Sequence, residues 1–202
     1  MAIKPILFNT EMVRAILDGR KTCTRRICKD TNECTVPDMD FFDPEKRTYA
    51  VHNYADKEHT DKLSIAERTC PICPGDILYV RESYSELSFG YLYKADGENI
   101  DHLGNVIKWH PSIHMPKEAA RIWLKVTDVR VEQLQDIDGK GCVKEGIEEE
   151  PLKYVGDEFV KGMFHDLWDS TIKKSDLDRY GWDANPWVWV IEFERCEKPE
   201  GV

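Results

Sequence analysis

The chain has 202 residues and a net charge of −10, with 41% apolar, 10% aromatic and 33% charged residues. That is enough apolar material for a core, which excludes a wholly disordered chain, and the length fits one large domain or a smaller one with insertions. The longest uninterrupted apolar run, Trp187-Val188-Trp189-Val190-Ile191, falls far short of the roughly 20 residues a membrane span needs, and so strong an acidic balance argues against an indiscriminate nucleic-acid coat.

The opening Met1-Ala2-Ile3-Lys4-Pro5 carries no long apolar stretch behind a basic head, so no secretory signal is expected and the cytoplasm is the expected compartment. Residues 1–29 hold seven Lys and Arg against Glu11 and Asp18, a net +5 that leaves −15 on the rest. A basic patch on an acidic protein suggests a local anion site; the alternative is a set of solvated cations. Thr10 can cap a short helix over Glu11–Asp18, with Met12, Val13, Ile16 and Leu17 at helical spacing and Gly19 as its stop. Thr22–Ile27 reads as a strand. From about residue 29 to 75, Asp, Asn, Pro, Lys and His recur without steady periodicity, which predicts a long inserted loop with some local structure.

Pro74-Gly75-Asp76 is a turn signal leading into an apolar core strand, Ile77-Leu78-Tyr79-Val80. Leu92–Ala95 predicts another strand, closed by Asp96-Gly97. Arg121–Glu132 alternates with a one-residue phase change near Thr127-Asp128, the mark of a bulge. Leu134–Ile137 and Val143–Ile147 read as helical turns, and Asp157–Ile172 as an amphipathic helix bearing Phe159, Val160, Met163, Phe164, Leu167 and Trp168. Trp187–Phe193 is the clearest strand; Trp187 and Trp189 share one face and read as core. There is no internal repeat. The class is α+β: a mixed β-barrel with short peripheral helices and one long insertion, in a single domain over residues 1–202.

Seven cysteines, an odd number in a chain without a secretory signal, argue against a disulfide framework. Cys70-Pro71-Ile72-Cys73 has zinc-ligand spacing, and Cys28 and Cys34 lie at the other end of the same insertion. Four thiolates would hold one structural zinc; the alternative is four reduced thiols in an ordinary loop. His110 and His114 flank Pro111 with no third ligand at suitable spacing, so a structural or surface role is expected.

The most specific segment is Gly19-Arg20-Lys21-Thr22-Cys23-Thr24-Arg25-Arg26. Residues at even separation along a strand share a face, so Thr22, Thr24 and Arg26 project together while Cys23 and Arg25 point away. Lys21, at the loop–strand junction, can lean over the same mouth. A lysine, a hydroxyl and a guanidinium would converge on one small polar ligand; the alternative is a solvated edge strand.

Gly19, Lys21, Thr24 and Arg26 resemble, in order, the G-x-K-x-x-[E/T]-x-R signature of the ASCH domain, a PUA-like β-barrel associated with RNA. The chain also resembles phage- and prophage-encoded ASCH-type proteins in Lys4–Thr10, Pro74-Gly75-Asp76, Val80-Arg81-Glu82 and Trp182–Phe193. Thr24, where most members carry Glu, is similar to the small bacterial amidohydrolases that remove acetyl from 4-acetylcytidine. That resemblance implies Lys21, Thr24 and Glu145 as a catalytic set, with Gly19, Arg20, Thr22 and Arg26 expected to bind substrate. It implies no required cofactor, and RNA or a modified nucleoside as ligand, with any protein partner unknown. The alternative is a non-catalytic phage accessory protein that binds a host or phage protein. In the catalytic reading a base must take the Thr24 proton. Lys21 can do so only if desolvation or neighbouring cations lower its pKa, while Glu145 holds or protonates the substrate amine.

Overall fold

The computed structural model describes residues 1–29, 31, 35–56, 58–60, 62–88, 90–97, 100 and 104–201, the side chain of Phe41 aside. In chain order its elements are β1 (Ile3–Leu7), α1 (Thr10–Leu17), β2 (Cys23–Ile27), β3 (Thr35–Asp43), β4 (Thr48–Tyr54), β5 (Lys62–Thr69), β6 (Ile77–Arg81), β7 (Tyr84–Leu87), β8 (Gly90–Tyr93), β9 (Trp123–Gln133), α2 (Gly139–Lys144), α3 (Glu150–Tyr154), α4 (Asp157–Thr171), α5 (Leu177–Tyr180) and β10 (Trp187–Cys196). They form a five-stranded sheet in the order β1-β6-β9-β10-β2, a three-stranded sheet β3-β4-β5 and the hairpin β7-β8. In the main sheet β1 runs parallel to β6, and the other pairs are antiparallel.

The alternation of β10 explains its place. Its period of two sends Val188 and Val190 to one face, where they pack with Val160, Phe164 and Trp168 of α4. It sends Trp189, Ile191 and Phe193 to the other, against Ile6, Phe8, Leu124 and the apolar face of α1. A strand covered on both faces reads as a continuous apolar run. Amide exchange across Val188–Ile191 should therefore be among the slowest in the protein; rapid exchange there would contradict this packing. The bulge lies where the phase change predicts it. Glu192 faces Asp128 and Phe193 faces Val126, so Thr127 is the extra residue. The cap of α1 falls one residue earlier than expected: the Asn9 side chain accepts from the Met12 amide at 2.8 Å, and Thr10 opens the helix.

Two expectations are corrected. The residues expected to form a loop hold the antiparallel sheet β3-β4-β5. Nearly every residue of β5 is exposed, so no apolar alternation marks it, and Pro37 is accommodated because β3 is an edge strand. The central strand β4 buries Tyr49 and Val51 in the main core, with the Tyr49 ring edge-on to Trp189 at 4.8 Å. The expected barrel is an open sheet. Its edges, β1 and β2, share no backbone ladder among the described residues. Side chains occupy the seam instead. Arg26 donates to the Leu7 carbonyl at 2.9 Å, and its guanidinium lies 5.1 Å from the centre of the Phe8 ring. With these side chains between them the strands cannot approach to the roughly 4.8 Å of a ladder. Among the described residues no helix is long and apolar enough to cross a membrane.

Candidate functional site

The seam between β1 and β2 opens into a cavity of about 700 Å³. Leu7, Phe8, Asn9 and Met12 line one side and Lys21, Thr24, Arg25, Arg26 and Ile27 the other. Trp189 and Ile191 contribute from β10, Tyr49 and Ile72 from the three-stranded sheet and the turn after it, and Phe164 and Trp168 from α4.

Local backbone features bring the polar residues together. Gly19 takes φ +76° and turns the chain out of α1, so that the amides of Arg20 and Lys21 both donate to the Ala15 carbonyl. Asp138 caps the start of α2, and Glu145 is the residue that caps its end. The next residue, Gly146, takes φ +105° with the Ala15 methyl 3.0 Å from where a Cβ would stand, so only glycine lets Glu145 come against α1 and Lys21. The Thr22 amide donates to the Lys144 carbonyl and fixes the register of that approach.

Lys21 donates to the Glu145 carboxylate at 2.7 Å and to the Glu145 carbonyl at 2.7 Å. Arg25 reaches the other carboxylate oxygen of Glu145 at 3.3 Å and Glu132 at 3.1 Å. Arg26 donates to the Thr24 hydroxyl at 2.8 Å. Lys21, Thr24, Arg25 and Glu145 are all buried. Burial lowers the Lys21 pKa below its ordinary value, and the charge of Arg26 acts in the same direction, while Glu145 partly offsets both. The buried Cys23 thiol is pushed up to about 12, by desolvation first and by Glu145 second.

Of the expected residues, Lys21, Thr24, Arg26 and Glu145 surround one cavity. Thr22 does not share their face: the strand begins at Cys23, and the Thr22 side chain is exposed. Arg20 turns outward to the Gly146 carbonyl and Asp18, and Gly19 serves only the turn. Lys21 and Thr24 are not hydrogen-bonded to each other; their partners are Glu145 and Arg26. Arg25 escaped the strand-face argument. It points away from Thr24, as expected, yet meets Glu145 around the free edge of β2. A charged residue flanked on its own face by Cys23 and Ile27 was the available signal, since such a position must be paired when buried.

The expected zinc set is not assembled among the described residues. Cys28 lies 3.7 Å from the Tyr49 hydroxyl, Cys70 donates to the Ile72 carbonyl, and Cys73 faces the Cys70 carbonyl. Cys34 lies outside the described residues, among which no three His, Cys, Asp or Glu side chains form a metal-holding group. His110 pairs with Tyr84 through the backbone, and His114 ends a short 3₁₀ turn. Trp182 packs on Phe164 and His165 and does not itself line the cavity.

No family model matches the chain, and no curated protein matches it. A solved structure described as a high resolution crystal structure of an ASCH domain from Lactobacillus crispatus JV V101 is similar at 10% identity, over 96% of this chain and 79% of that one, with a TM-score of 0.37. A superposition that loose transfers neither fold nor function.

Proposed function

We propose that the chain is an ASCH-type protein that binds RNA or a modified nucleoside, with one base held in the seam cavity. The observation that carries this reading is the placement of a buried Lys21–Glu145 pair, a Thr24 hydroxyl and a guanidinium in the wall of an aromatic-lined cavity. Its size lies within the range of small-molecule sites. Rings of Phe8, Tyr49 and Trp189 offer faces and edges to a planar base, and Glu145 offers an acceptor to an exocyclic amine.

A second reading, hydrolysis of an N-acylated nucleoside, is favoured by the lowered proton affinity of Lys21. Thr24 Oγ would attack the acyl carbon and pass its proton to the Lys21–Glu145 pair. The pair returns the proton to the departing amine, and water then hydrolyses the threonine ester.

The test is a screen of modified nucleosides and short RNAs by tryptophan fluorescence, with product analysis alongside. Binding should quench Trp189 and disappear in Lys21→Ala. If hydrolysis occurs, Lys21→Ala and Thr24→Ala each abolish it, and the double variant is little worse than either, as for residues acting as one unit. Lys21→Arg should then bind but not turn over, because guanidinium keeps its proton. Failure of every nucleoside and RNA to perturb Trp189 would remove the reading.

A further inference from the structure

The cavity wall is unevenly charged. Among the described residues four cations line it, Lys21, Arg25, Arg26 and Lys29, against the single carboxylate of Glu145. Glu145 is consumed by Lys21 and Arg25, and Arg25 takes Glu132 as well. Among the described residues Arg26 has only neutral hydrogen-bond partners: the Thr24 hydroxyl and the carbonyls of Arg25 and Leu7. Lys29 is exposed at the same cavity and makes no hydrogen bond or ion pair among the described residues. Among the described residues two of the cavity's cations thus have no ion-pair partner, in a protein whose net charge is −10. Desolvation lowers the Arg26 pKa, and the charge of Glu145 offsets it only in part.

Resting on the base-binding reading above, we propose that the ligand is phosphorylated, and that its phosphate sits between Arg26 and Lys29 while its base faces Lys21 and Glu145. The chemistry selects the group. A phosphate monoester carries about −1.5 to −2 charges at neutral pH, which matches the unmatched cations. A guanidinium fork donates to two phosphate oxygens at once, and lysine adds a mobile point charge. A neutral nucleoside would leave both cations uncompensated. A simple carboxylate would neutralise only one. The hydroxyl of Thr24 keeps one edge of the Arg26 guanidinium fixed, so the fork is pre-set and little ordering is lost on binding.

The experiment is calorimetric titration of the full chain with N4-acetylcytidine, its 5′-monophosphate, inorganic phosphate, and a short cytidine-rich RNA lacking terminal phosphates. The monophosphate should bind about tenfold or more tightly than the nucleoside, as expected for a charge-assisted contact, and should lose that advantage as salt rises. Arg26→Gln should bring the two ligands to near-equal affinity. Lys29→Ala, at an exposed side chain with no hydrogen bond or ion pair among the described residues, should reduce the advantage several-fold and leave the folded state intact. Inorganic phosphate should compete with the monophosphate. Nucleoside and monophosphate binding equally would overturn the phosphate site while leaving base binding in place. Inorganic phosphate binding with no affinity for nucleoside or nucleotide would overturn the base reading and retain an anion site. RNA binding that excels the monophosphate, and survives both substitutions, would place backbone phosphates elsewhere and overturn the proposal.

Discussion

Glu145→Ala is expected to cost about 3–5 kcal/mol of folding stability, the loss typical of breaking a buried ion pair from one side. The alanine leaves Lys21 and Arg25 in a buried wall with the remaining charge on Glu132 alone. The double variant Lys21→Met/Glu145→Leu should recover much of that loss, because two apolar side chains of similar size need no mutual compensation. Urea denaturation of the three proteins checks this; a double variant no more stable than Glu145→Ala would contradict it. The pH dependence has a definite sign. Burial, the largest influence on Lys21, weakens its hold on the proton relative to the ordinary value of 10.5. Between the folded and unfolded pKa values the unfolded chain therefore binds the proton more tightly, so the Lys21 contribution to stability rises with pH across that interval. Wild type minus Lys21→Met should climb on the alkaline side, and a flat or falling difference would be inconsistent with a desolvated amine.

Asp76→Ala should be nearly as damaging, at about 3 kcal/mol or more. Asp76 joins three parts of the chain. Arg47, in the turn between β3 and β4, grips both its oxygens, and the amides of Ala2 and Cys73 donate to it at 2.8 and 3.1 Å. Burial alone would raise its pKa; the Arg47 hydrogen bonds and the two amides outweigh burial and leave it at about 2. A depressed carboxylate stabilises fully above its unfolded value of 3.8, and that contribution is lost as the pH falls from there towards 2. Between pH 5 and 2 wild type should therefore lose more stability than Asp76→Ala; parallel acid curves would show that Asp76 is not the link.

How much of this was legible in the sequence follows from how each element is buried. Strand β10, helix α4 and the bulge at Thr127 were legible because their apolar residues keep one period against one or two covered faces. Phe159 was the exception within α4; its spacing fits, yet it lies beyond the covered stripe and is exposed. The β3-β4-β5 sheet was not legible, since β5 contributes backbone hydrogen bonds but almost no burial. At the site, the juxtaposition of Lys21, Thr24 and Arg26 follows from sequence proximity. The approach of Glu145 rests on the backbone of Gly146, and the grip of Arg25 on Glu145 around the edge of β2 is a tertiary contact that no local pattern encodes.

The open order β1-β6-β9-β10-β2 also has a mechanical consequence. In a closed cylinder the circumference is fixed by the ladder, and the interior cannot widen without breaking backbone hydrogen bonds. Here four strand junctions separate the two lips of the seam. A small change of twist at each junction, well inside the natural spread of sheet twist, adds along the series and appears in full as a change of aperture. The soft coordinate of the sheet is therefore the width of the cavity between its two edges, which can change at low elastic cost while every ladder stays intact.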